Sequence, residues 1–63
     1  MKIKCISNID LNGRVSDYLT VGKLYDMTPC DEENDAGEII DDASDVIFEY
    51  LPVPVHGKWE VVK

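Results

Sequence analysis

The sequence predicts an all-β fold, a small sheet of five short strands bent into a barrel. Three observations predict it. Short runs of alternating or β-branched residues recur along the chain, each ended by Gly, Pro or a polar turn. No stretch sustains a 3.6-residue apolar period, although residues 38–51 could be forced onto a helix but for Asp41, Asp42 and Ser44 in their middle. Five strands in only 63 residues would leave open edges unless the sheet curled on itself.

The elements follow in order. Residues 1–6 set Met1, Ile3 and Cys5 against Lys2 and Lys4, the period of a half-buried strand. Residues 7–18 read as a long loop with a type I′ turn at Asn12-Gly13, the pair that accepts positive φ at both central positions. A turn at Val21-Gly22 leads into a strand at residues 23–27, with Leu24 and Asp26 on one face and Tyr25 and Met27 on the other. Pro29 closes that strand because it has no N–H to donate. Residues 31–37 read as a hairpin loop, 38–41 as a short strand and 43–45 as a second turn. The clearest strand is VIFEY, residues 46–50, dense in β-branched and aromatic side chains. Pro52 and Pro54 interrupt pairing and His56-Gly57 makes a last turn. Residues 59–62 close the chain, with Trp59 and Val61 expected to point inward.

Length allows one domain, residues 1–63. A chain of this size buries only about 60% of the surface it exposes when unfolded, so its core is small. Strong charge raises the question of disorder, but Trp59, Phe48, three tyrosines and many β-branched residues argue for a compact fold. Two cysteines are fewer than a disulfide scaffold carries, and the opening KIKCI reads as a strand and not an apolar leader. The expectation is a cytoplasmic protein with free thiols, Cys5 being a small core residue.

Charge is the most informative feature. Residues 31–45, DEENDAGEIIDDASD, hold eight carboxylates and no Lys or Arg. Across residues 24–57 there are ten acids and still no Lys or Arg; all six bases lie outside, accompanied by three acids. The formal charge of −7 is therefore segregated. That argues against direct binding to nucleic acid or an anionic membrane, both polyanions. It favours a basic protein partner, because a fixed acidic lobe speeds encounter with a basic surface and imitates a short length of duplex.

The sequence carries little that looks catalytic. It has no Gly-rich phosphate loop, His-Glu zinc motif or nucleophile elbow, and a filled small barrel seldom offers the pocket a general acid needs. Residues 31–42 imitate the spacing of an EF-hand loop, with acids at positions 1, 3, 5 and 12, but Ala36 occupies the position that needs Gly. Cys5, Cys30 and His56 lack the close-pair spacing of zinc ligands. No cofactor or metal is expected. Leu24-Tyr25-Asp26 echoes the opening of peptide-binding SH3 domains, yet the second Tyr of that motif and its mid-chain Trp pair are missing. LPVPV, residues 51–55, is expected to cover an open end of the barrel.

The order KIKCI, YLTVGKLYDM, GEIIDD and WEVV resembles a class of small proteins of tailed phages and prophages with the pattern (L/V)TxGKxYxV…DDxG…FEVV. The resemblance spans about two-thirds of the chain. It departs at Ala43-Ser44, where Gly often follows the acidic pair, and at Trp59, where Phe is commoner. It implies a small five-stranded SH3-like barrel and a phage or prophage origin, mostly without an assigned activity. The expected function is a non-enzymatic module that docks on a basic, nucleic-acid-binding type of host protein in the bacterial cytoplasm and blocks or modulates it. Asp31, Glu32, Glu33, Asp35 and Glu38 would steer and anchor from the hairpin, and Asp41, Asp42 and Asp45 would extend the patch. The alternative is a self-associating structural phage protein, a homo-oligomer without a host target.

Overall fold

The computed structural model describes residues 1–30, 35–51 and 53–62. Five antiparallel strands, β1 (Lys2–Ser7), β2 (Leu24–Pro29), β3 (Ala36–Ile40), β4 (Val46–Tyr50) and β5 (Lys58–Val62), form one sheet in the order β4-β3-β2-β1-β5. The sheet curls strongly into a half-barrel of the small SH3-like kind, and no described residue is helical. The all-β, five-stranded expectation is met. The curl does not finish in a ladder, however: β4 and β5 are the two ends of the sheet and are not hydrogen-bonded neighbours.

Alternation explains the core. β1 buries Ile3 and Cys5, and β2 buries Tyr25 and Met27, as their period-2 patterns require. With Leu19 and Ile39 they form the buried cluster, against which Tyr18, Ile47, Leu51 and Trp59 pack. The Tyr25 and Trp59 rings meet edge to face at 5.6 Å. Cys5 is fully buried and Cys30 exposed, and both thiols are free. The β2–β3 register shows why Pro29 is tolerated. Pro29 faces Gly37, and the bond from Cys30 N to Ala36 O identifies the next pair along as hydrogen-bonded. Pro29 thus falls at a non-hydrogen-bonded pair and costs no ladder bond.

Three expectations change. The third strand begins at Ala36 and not Glu38, and residues 31–34, expected to belong to a hairpin loop, lie outside the described residues. Val61, expected to point inward, is 44% exposed, whereas Trp59 does pack against the core and is partly buried. The Asn12-Gly13 turn is not type I′: Gly13 has φ +78°, but Asn12 is not in the left-handed region. Instead, Gly13 N donates to Asp10 O, Asp10 N donates to Arg14 O, and Ile9 bridges to Val15. That is a three-residue hairpin loop whose left-handed residue is the glycine.

Candidate functional site

Two acidic turns share one wiring. In the first, Asp10 Oδ1 accepts from Asn12 N at 2.8 Å and Arg14 N at 2.9 Å. In the second, Asp41 Oδ1 accepts from Ala43 N and Asp45 N, both at 2.9 Å. Backbone bonds match too: Ser44 N to Asp41 O and Asp41 N to Asp45 O repeat the pattern around Asp10. Ser44, at φ +64°, stands where Gly13 stands. A short carboxylate folding back on its own N–H groups makes Asp the natural first residue of such a turn.

This wiring revises the acidic patch. Asp41, 8% exposed, turns its carboxylate into the turn and does not extend an outward face. Asp42 accepts from Thr20 Oγ1 and Lys23 Nζ at 2.6 Å and from Tyr25 OH at 2.9 Å. Those bonds, the Lys23 bond first, lower its carboxyl pKa to about 2, and the same bond raises that of Lys23. Asp42 therefore ties the second turn to β2, with its charge matched. Asp35, Glu38, Asp42 and Asp45 are exposed, and Asp31, Glu32 and Glu33 fall outside the described residues. Residues 36–40 of the EF-hand-like stretch form β3, paired with β4 throughout and with β2 from Gly37 to Ile39.

Glu49 carries no motif that sequence reasoning would single out. It is fully buried, at 0% exposure. Its Oε1 accepts from Tyr50 N and Val55 N, and its Oε2 accepts from His56 N and Trp59 Nε1, each at 2.9 Å. A buried carboxylate is costly unless its lone pairs are filled, and four N–H donors fill them. Glu49 on β4 thereby grips Trp59 on β5 and closes by a side chain what no ladder closes. It also positions residues 53–57, which hold the first acidic turn: Leu11 N donates to Val55 O, and Ser16 Oγ to His56 O at 2.7 Å. The Tyr18 hydroxyl and His56 Nδ1 lie 2.6 Å apart beside this loop. Val53 and Pro54 line a groove of about 230 Å³ with Ile9, Leu11, Gly57 and Lys58, smaller than most small-molecule sites.

Burying Glu49 has a consequence for the other face of β4. Alternation puts Val46, Phe48 and Tyr50 on one side and Ile47 and Glu49 on the other. Hydrophobicity alone would bury the first set. The structure does the reverse: Val46, Phe48 and Tyr50 are 60%, 40% and 49% exposed. Beside them Ile40 is 55% exposed and faces Val46, while Glu38 faces Phe48. The Phe48 and Tyr50 rings stack edge to face at 5.1 Å. The outer β3–β4 face is therefore apolar and aromatic, with Glu38 at its centre and exposed Asp45 just before its edge strand. Of the exposed bases among the described residues, Lys2, Lys4 and Lys58 stand on β1 and β5, at the other end of the sheet order, and Arg14 and Lys23 lie between β1 and β2. Comparison with known protein families, with curated proteins and with solved structures found no match to this chain.

Proposed function

We propose that this protein is a small non-enzymatic binding module that docks through its acidic side on a basic surface of another protein and blocks or modulates that partner. The observation that carries the reading is charge segregation: no Lys or Arg occurs from residue 24 to 57, where ten acids do. Exposed Asp35, Glu38, Asp42 and Asp45 supply the described part of that face, the charge of Asp42 being matched by Lys23, and Asp31, Glu32 and Glu33 belong to it by sequence. A non-enzymatic role is supported by the state of Cys5 and His56. Burial raises the Cys5 thiol pKa, and His56 Nδ1 is engaged by Tyr18. The resemblance to small phage and prophage proteins supports a basic host protein, of the nucleic-acid-binding kind, in the bacterial cytoplasm as partner.

The test is affinity capture from bacterial lysate at low and high salt. A partner is expected to be retained at low salt, released at high salt, and lost when Glu38 and Asp45 are changed to Lys. Retention that ignores both salt and charge reversal overturns the reading. Self-association is the second reading, favoured by the exposure of Leu11 and Val53 on the apolar groove at 63% and 64%. Light scattering separates the two: a stable, salt-insensitive oligomer supports self-association.

A further inference from the structure

The free edge of β4 lies beside the face just described. In the β3–β4 ladder, Leu51 N bonds Asp35 O and Asp41 N bonds Asp45 O. The hydrogen-bonded pairs alternate between those limits, so they fall at Gly37–Glu49 and Ile39–Ile47. The N–H and C=O groups of Val46 and Phe48 therefore point away from β3, off the end of the sheet. Among the described residues no strand pairs with that edge. The N–H of Tyr50 is taken by Glu49, which leaves a short open template at Val46 and Phe48.

We infer that β4 receives an extended segment of a partner protein as a sixth strand, and that this segment carries Lys or Arg alternating with apolar residues. Three observations converge on such a strand. The open edge offers main-chain bonds. The residues that own those bonds also expose Val46, Phe48 and Tyr50, an aromatic surface for apolar side chains. Charge selects the remainder: Glu38 sits within the face, Asp45 at the start of β4, and the whole segment of residues 24–57 lacks Lys and Arg. A second copy pairing β4 with β4 would bring up more of the same segment, which holds no Lys or Arg, so that occupant lacks the charge complementarity that a basic strand supplies. This inference rests on the acidic-docking reading and specifies how the partner engages.

The test uses the intact chain and a synthetic capped heptapeptide of alternating Lys and Val. Its controls are the same peptide N-methylated at alternate residues and a version with Glu for Lys. Binding is followed by amide chemical shifts and hydrogen exchange. The Lys-Val peptide is expected to slow exchange at Val46 and Phe48 by at least about tenfold, and the N-methylated peptide to bind at least about tenfold more weakly, a loss of one decade in affinity. The Glu peptide is expected not to bind, and Phe48→Ala to weaken binding. Equal binding of the N-methylated peptide, or unchanged exchange at Val46 and Phe48, overturns strand addition. Protection of those amides without peptide, growing as protein concentration rises, also overturns it, because a second copy would then be the occupant. Salt-sensitive capture from lysate surviving any of these results leaves acidic docking standing, so the two failures are distinguishable.

Discussion

Glu49 shows how one buried side chain can join the two end strands of a small curled sheet. Its carboxylate accepts at both oxygens, and the four donors around it come from Tyr50, Val55, His56 and the Trp59 ring. Glu49→Gln keeps the volume but turns one oxygen into an NH₂ that faces other N–H donors. The expected cost is about 2–3 kcal/mol, read by urea denaturation, as charged hydrogen bonds are lost and buried donors are orphaned. In a chain this short that is a large share of total stability. Asp42 gives the matching pH test. Its folded pKa, about 2, lies below the 3.8 of an ordinary Asp, so its contribution is whole above about pH 4 and fades as pH falls through 2. Asp42→Asn should flatten that acid limb of the stability–pH curve. Lys23, with a raised pKa, supports the same pair until pH climbs past its ordinary 10.5.

At the scale of elements, the two acidic turns are the chain's repeated device. DLNGR and DDASD close with the same four hydrogen-bond connections, yet only the first has Gly at the left-handed position. Ser44 bears a backbone cost there of about 1 kcal/mol, partly offset because Gly loses more freedom on folding. Ser44→Gly is therefore expected to raise stability by about 0.5 kcal/mol, or about 2–4 °C in melting temperature. Gly13→Ala should do the opposite, and since nothing lies within 4 Å of its added methyl, the loss would be purely conformational. The strands themselves were legible. Alternation in KIKCI and LYDM told which residues are buried, and Pro29 marked where β2 ends. Residues 46–50 were legible as a strand, but not as one whose Glu faces inward, because the donors that satisfy Glu49 come from residues one to ten positions away.

Over the whole molecule, the charge is as uneven as the fold is small. Ten acids without a base between residues 24 and 57 repel one another, and among the described residues the ion pairs Lys23–Asp42 and Lys2–Asp26 offset part of this. The Lys2–Asp26 pair is well exposed on both sides and is worth little. Added salt, which shortens the Debye length from about 30 Å at 0.01 M to about 8 Å at 0.15 M, should raise the melting temperature by a few degrees. The same salt should release a basic partner. Stability and binding would then move in opposite directions along one salt series.

The sequence by itself determined the class of fold, the positions of the five strands to within a residue or two at most ends, and the segregation of charge. Those properties are local: period-2 alternation, turn residues and net charge act between neighbours. Only the tertiary structure decided which acids remain outward. Asp41 folds into its turn, Asp42 is matched by Lys23, and Glu49 is drawn inside by Val55, His56 and Trp59. It also decided that Val46, Phe48 and Tyr50 face solvent on an open edge. Which side of a strand is buried depends on what residues outside it place against it, and here the buried side is the one whose carboxylate meets four N–H donors.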